Sequence, residues 1–386
     1  MNTKTYITAL ICIICAVYAC TEARHSEARI CETVSNTQSS DYCADTLLFH
    51  ECMEIHLQDS VREAFVSRID RLIITGDTLY ITDTKQRSVV AFNTKGEYLF
   101  RINHRGHGNK EYTDLIDVAY DKWKHELLFL VYPKAIFHYT PDGRHIRTTP
   151  VEEAYTDICA DSTFYYLAEE TYTNGIMTDK ALAIMNKNSL NITRTIDIEH
   201  EQAPFCSLGR KLYSGVGDRI WFTRKFDYTL YSFSNGIALS DVIVNYGSRE
   251  MGCQDRSTRW DCMELARYAN ENNYVYGMHN ICDGQHTMVF STNQNDINVM
   301  DKKKHSSISY RGIVQSTYGT QLRHYAVIDG SDAKCVFFFW PEEYDSARRS
   351  LRENPDITMK VSTEYLRLLA TTDGRHNPVL FIYTPR

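Results

Sequence analysis

An all-β fold, and within that class a β-propeller, is predicted by three features: a regular period, the residue types that repeat, and an incomplete last repeat. Four apolar segments each run into a polar or glycine turn: 89–92 into Asn93-Thr94-Lys95-Gly96, 135–139 into Thr140-Pro141-Asp142-Gly143, 181–185 into Asn186-Lys187-Asn188-Ser189, and 229–233 into Ser234-Asn235-Gly236. The turns end at 96, 143, 189 and 236, spacings of 47, 46 and 47 residues. Helical solenoids have similar periods, but these segments are β-branched and aromatic and are bounded by Asn, Asp and Gly, the marks of strands. Several short strands in a repeat of about 40–50 residues form the pattern of a propeller.

The chain begins MNTKTYITALICIICAVYAC, with Lys4 as its only charge before an apolar stretch over 6–17. That is the form of a secretory signal, too short for a comfortable membrane span. It ends Val17-Tyr18-Ala19-Cys20, which resembles a bacterial lipobox and predicts cleavage before Cys20 and acylation of that cysteine. Each buried CH₂ of an acyl chain contributes about 0.8 kcal/mol, so several chains anchor durably. Residues 20–48 are polar and aperiodic and read as a flexible tether. Deleting 21–45 is therefore expected to leave stability nearly intact. The boundaries that follow are a signal at 1–19, a tether at 20–48 and one propeller domain at 49–386.

Within that domain, 50–57 alternates as a strand without a repeat of its own. A further strand precedes each turn of the period, at 77–82, 125–130, 162–167 and 218–222. A fifth repeat holds 287–290 and 297–300, its turn at Asp301-Lys302 delayed by an insertion near 248–275. There Thr258-x-x-Asp261 resembles a capping box, and Cys262, Leu265, Ala266 and Ala269 follow helical spacing. A sixth repeat has 336–340, a helical insertion near 341–370 opened by Pro341-Glu342-Glu343, a second helix near Ser362-Thr363-Glu364, and then 379–383. That repeat lacks its outermost strand. The expectation is a six-bladed β-propeller closed by the N-terminal strand pairing beside 379–383, which removes the exposed edge.

Composition excludes several classes. Lys and Arg number 42 against 49 Asp and Glu, a net charge of −7, with no basic stripe to meet phosphate, so a nucleic-acid partner is not expected. Beyond residue 20 no apolar run approaches about 20 residues. Nine cysteines follow Cys20, an odd number, and no C-x-x-C occurs. Cys253 and Cys262 are spaced to bridge within one loop, whereas Cys159, Cys282 and Cys335 sit in apolar strands as small core residues.

The chain resembles the six-bladed β-propeller lipoproteins of gram-negative gut bacteria, related to NHL-repeat propellers. The resemblance is sharpest over Asp83-Thr84-Lys85-Gln86-Arg87-Ser88-Val89-Val90-Ala91-Phe92, Gly96, and Gly106-His107-Gly108-Asn109-Lys110-Glu111-Tyr112, the last similar to a G-x-G-x-x-E-[FY] linker between blades. Asn109-Lys110 stand where that family commonly has Pro-Gly. Asn377-Pro378-Val379-Leu380-Phe381-Ile382-Tyr383 and the helical insertion before it also match. The resemblance implies the fold and an exported, lipid-anchored address at the cell envelope, outer membrane included, on either its periplasmic or its surface side.

No catalytic signature emerges. Gly106-x-Gly108 lacks the third glycine and following helix of a dinucleotide fingerprint. His50-Glu51-Cys52-Met53-Glu54 is not H-E-x-x-H, and G-x-S-x-G is absent. Arg87, Arg105, Lys134, Arg210 and Arg224 fall in loops at comparable points of successive repeats. They are candidates to face an anionic ligand, or else to hydrogen-bond neighbouring blades. The function expected is a binding or scaffold module for a glycan, peptide or protein partner, anchored to the membrane through Cys20. The alternative is a lactonase-like hydrolase or lyase with a metal in the central channel; no cofactor is identified from the sequence.

Overall fold

The computed structural model describes residues 31–39, 41–169, 172–173, 176–177, 180–197, 209–252, 262–322, 326–330, 334–353, 362–371 and 377–386. The signal segment, Cys20, Cys253 and the Thr258–Asp261 box lie outside them, as does one half of the Cys253–Cys262 bridge.

Period-two alternation gives each strand two faces, and the chain buries both. Arg71–Thr75, Thr78–Asp83, Ser88–Asn93 and Tyr98–Ile102 form an antiparallel meander. Leu72, Leu79, Ile81, Val90 and Phe92 pack to one side of it, and Ile73, Tyr80, Val89 and Ala91 to the other. The unit is repeated by Asp114–Asp121, Glu126–Tyr132, Ala135–Tyr139 and His145–Pro150, and by Tyr155–Ala160, Phe164–Glu169, Lys180–Asn186 and Ile192–Asp197. It recurs in Leu212–Ser214, Ile220–Phe222, Thr229–Ser234 and Asp241–Asn245, then in Met278–Asp283, Thr287–Thr292, Ile297–Asp301 and Ser306–Tyr310. The C-terminal unit holds Ala326–Gly330, Lys334–Phe339 and Val379–Pro385, and Phe49–His56 pairs antiparallel along its edge with Ile55 opposite Leu380.

The core lies between successive sheets, not within one of them. Leu380, Ile382, Val336 and Phe338 of the C-terminal unit meet Leu79, Ile81, Val90 and Phe92 of the first. The first strands of the units are innermost: Ala326–Gly330 pairs in parallel with Arg71–Thr75, which packs against Asp114–Asp121, and that against Tyr155–Ala160. Gly96, at a turn of the sequence period, has φ of +86°, and a Cβ there would lie 2.0 Å from the His56 carbonyl oxygen. The turn thus needs glycine on conformational and steric grounds together. Asn377 ties the last strand to the start of the domain, its side-chain oxygen accepting from Val66 N–H at 2.8 Å and its amide donating to Gln58 O and Ala64 O at 2.8 and 2.9 Å.

The helical insertions are present. Cys262–Glu271 packs Leu265 and Ala269 against Phe226 and Met251, and Pro341–Glu353 and Thr363–Thr371 interrupt the C-terminal unit between its second and third strands.

The N-terminal segment departs from the expected tether over 20–48. Cys31–Gln38 is a strand inserted between Asp241–Asn245 and Ser306–Tyr310, parallel to both, with Val34 opposite Val244 and Gln38 opposite Ser309. Cys43–Ala44 then pairs with Ile313–Gln315, and the short helix Asp45–Leu48 leads into Phe49–His56. Asp45 accepts from Ser316 N–H and Tyr383 Oη, both at 3.0 Å. The physical reason is that two outer strands would otherwise present bare edges, and a mostly polar strand satisfies their backbone groups while facing solvent. Only Val34 of that strand is buried.

Candidate functional site at the mouth of the inner strands

In an antiparallel meander the innermost strand of one unit begins on the face where the outer strand of the preceding unit ends. The turns between second and third strands lie on that same face, as do the three described helices of the insertions. Between the beginnings of the inner strands sits a cavity of about 520 Å³, lined by Arg68, Asp70, Thr84, Asp117, Thr156, Asp157, Arg210, Tyr213, Lys225, His279 and Asn280 among others.

Its floor is an ion network centred on Arg71, the first residue of its strand. Arg71 is 1% exposed and donates through Nη1 to Asp117 at 2.7 Å and to Ile158 O at 2.9 Å, through Nε to Asp329, and through Nη2 to Cys159 Sγ at 3.2 Å. Asp117 and Asp157 also link neighbouring units, accepting from the backbone N–H of Ile158 at 2.9 Å and of Lys211 at 2.8 Å. Burial pushes the Asp117 carboxyl up against the pull of Arg71. Burial also acts to raise Asp329, but Arg210 and Arg71 more than offset it and hold that carboxyl below its usual range. Arg210 donates from Nη2 to Asp329 at 2.7 Å and lies 4.8 Å over the Tyr213 ring. Three atoms of the site are buried without a hydrogen-bond partner: Arg210 Nε, Asp329 Oδ1 and His279 Nδ1. Such groups are costly in a folded protein unless a ligand or water meets them.

Lys225 enters from the turn after Ile220–Phe222. Among the described residues no carboxylate lies within ion-pair distance of it, and its Nζ stands 5.8 Å over the Tyr276 ring. Burial, with Lys211 adding repulsion, brings its ammonium down to about 8. Burial and Lys225 together push His279 down to about 3, so its imidazole is neutral at physiological pH. Among the described residues no group of three or more His, Cys, Asp or Glu is arranged to hold a metal ion.

A model of a domain of unknown function, DUF4934, matches residues 49–384. The chain belongs to the DUF4934 family. No curated protein matches the sequence. A solved Bacteroides fragilis protein assigned as exported resembles this DUF4934 chain with a TM-score of 0.72 at 14% identity, over 92% of this chain and 100% of that one. More distant are a streptogramin B lyase, TM-score 0.45 and 12% identity over 75% and 80% of the two chains, and BamB of Moraxella catarrhalis, 0.39 and 9% over 74% of each. The described residues of the DUF4934 chain form an all-β fold with helical insertions, and no helix among them is long and apolar enough to cross a membrane.

The cations singled out from the DUF4934 sequence are dispersed. Arg210 alone lines the cavity. Arg87 pairs with Asp114 at 2.8 Å, Lys134 donates to Glu152 O at 2.7 Å, and Arg224 pairs with Asp227 at 2.5 Å. Arg105 is exposed, its backbone bridged to Tyr112. The Gly106-x-Gly108 motif serves its own loop: Gly108 N–H donates to the Glu111 carboxylate at 2.8 Å, and a Cβ on Gly106 would lie 1.9 Å from it. Arg71, Asp117, Asp157, Asp329, Lys225 and His279 escaped sequence reasoning. For the first four a signal existed, a charged residue adjoining apolar ones within an innermost strand.

Proposed function

We propose that the protein is an exported six-bladed β-propeller, anchored to the cell envelope by lipid on Cys20. It acts as a binding or scaffold module for a glycan, peptide or protein partner held at the channel mouth. The observation that carries this reading is the cavity of about 520 Å³ lined by Arg210 and His279, whose buried Nε and Nδ1 atoms lack hydrogen-bond partners. Loops and strand ends on a rigid scaffold are where binding residues concentrate, and concave sites with a few convergent polar groups are the usual ligand pockets. The pairing of Phe49–His56 with Val379–Pro385, and of the innermost strands of the first and last units, supports a closed ring.

Two measurements test the proposal. Cys20→Ser is expected to move the protein from the membrane to the soluble fraction or to leave an unprocessed precursor; normal mass and unchanged fractionation would remove the anchor. Thermal-shift screening of oligosaccharides, sugars, amino acids and short peptides is expected to find ligands whose effect is lost in Arg210→Gln. A ligand at one hundred times its Kd stabilises by about 2.7 kcal/mol, a readily measured shift. Hits that bind Arg210→Gln as well as the parent would place the binding surface elsewhere.

A further inference from the structure

Resting on the channel mouth as the binding site, we propose that Lys225 and His279 form a seat for the carboxylate of a small hydroxylated acid, the uronate class of sugar.

The seat is built, not incidental. Lys225 lies flat between two bare backbones: a Cβ on Gly277 would stand 2.6 Å from its Nζ, and one on Gly209 3.7 Å from it. The residue after it, Phe226, has φ of +58°, a conformation unfavourable for a bulky side chain. It is held there by an N–H bond to Tyr276 O at 2.6 Å and by stacking on the Tyr276 ring at 5.1 Å. The residue after His279 is also left-handed, Asn280 at +55°, where the pairing register of its strand is irregular. Left-handed residues thus directly follow both groups of the seat, the strained one being Phe226, since asparagine adopts this region readily. Strain of this kind persists only where the surroundings enforce it, and it concentrates at ligand sites.

Charge decides what the seat takes. The cavity carboxylates are committed: Asp117 to Arg71 and Ile158 N–H, Asp157 to Lys211 N–H, and Asp70 to Thr84 N–H at 2.8 Å. None reaches Lys225, which stays an uncompensated cation beside an unpartnered His279 Nδ1. A ligand carboxylate supplies the missing counter-charge, and the imidazole donates to its second oxygen. The same cavity is lined by the acceptor oxygens of Asp157, Asp117 and Thr156. They favour a body bearing hydroxyl donors and repel a second anionic group.

The titratable and charged groups around Lys225 are Lys211 and Arg210 before Leu212–Ser214, Tyr276 and His279 on the chain packed over it, the Arg224–Asp227 pair on its own turn, and the three aspartates lining the cavity. With the free ammonium titrating at about 8 and the imidazole neutral above about 3, binding of a carboxylate is constant between about pH 5 and neutrality and is lost as pH rises through 8. At pH 9 only about a tenth of the sites hold the proton, so the apparent Kd is expected to rise about tenfold from its value at pH 7.

Calorimetric titration of the purified protein with galacturonate, and with galactose as its neutral counterpart, tests this. Galacturonate is expected to bind at least about tenfold more tightly than galactose at pH 7, to weaken as stated at pH 9, and to lose that advantage in Lys225→Met. Lys225→Arg keeps the charge and is expected to retain it at pH 9 as well. Methionine leaves the fold intact because a buried cation is removed, which an unchanged melting temperature checks. Equal affinity for the two sugars, a flat response from pH 7 to 9, or undiminished galacturonate binding in Lys225→Met would overturn the proposal. If uronates fail while neutral sugars or peptides bind in an Arg210-dependent way, the mouth stands as the binding site and the acid seat falls. If no member of any class binds, both readings fall.

Discussion

Replacing Arg71 with methionine is expected to destabilise the protein by about 3–5 kcal/mol, the range for removing one partner of a buried ion pair. Methionine replaces the apolar stem of the side chain but not its guanidinium, so the loss reports mainly charge and hydrogen bonding. Every nitrogen of the guanidinium is engaged, with Asp117, Asp329, Ile158 O and Cys159 as acceptors, and these belong to the second, third and last of the sheets. Without it Asp117 and Asp329 remain buried, with Arg210 as their nearest cation. Urea denaturation should show the midpoint lowered with little change of slope. Adding Asp117→Asn to Arg71→Met should recover part of the loss, since the uncompensated charge causes most of it. A single-variant effect under about 1 kcal/mol would show that water reaches the network and screens it.

Truncation at the N-terminus is expected to have graded and large effects. Removing 21–40 takes away Val34, whose burial contributes roughly 1.5–3 kcal/mol. It also takes Asn36 from buried Arg249, whose Nη2 donates to Asn36 Oδ1 at 2.7 Å. A hydrogen bond to a charged group contributes about 1.5–3 kcal/mol, so the expected cost is roughly 3–6 kcal/mol. Removing 21–60 strips the whole of Phe49–His56 from Val379–Pro385 and leaves a long apolar edge, and the product is expected to aggregate or fail to fold. Melting curves and size-exclusion profiles of the two truncations distinguish these outcomes. If 21–40 can be removed with a change under about 2 °C, strand Cys31–Gln38 is a passive ornament of the fold.

The contrast with the expected tether shows what local sequence can and cannot convey. Strands such as Thr78–Asp83 and Ser88–Asn93 announce themselves because both of their faces are buried, which demands near-continuous apolar residues over the whole strand. Cys31–Gln38 has one buried residue and draws its stability from backbone partners some two hundred or more residues away, so its own sequence carries no period. The helical insertions were legible from Leu265, Ala266 and Ala269 and from Pro341-Glu342-Glu343, because helix signals are local. The site was legible only at Arg210. Repeating loop arginines drew attention, yet Arg87 and Arg224 have carboxylates close at hand, Arg224 within its own turn. Lys225 and His279 matter for the opposite reason: among the described residues the fold brings no carboxylate to them, and a missing partner cannot be read from one sequence.

The path of the N-terminal segment also has a consequence for the order in which the molecule can assemble. Early segments find their partners far later in the chain: Asn36 bonds Ser307 across 271 residues, and Asp45 bonds Tyr383 across 338. Loop closure over such distances makes folding slow and leaves early sheets with open edges while synthesis continues. Internal units can pair locally as they emerge, but strands 31–38 and 49–56 must wait. A chain stopped short of Val379 has no native place for Phe49–His56 and exposes apolar surface at both its beginning and its end. The strand Val379–Pro385 thus acts as a check on translation past it, because only a chain that reaches it can cover Phe49–His56.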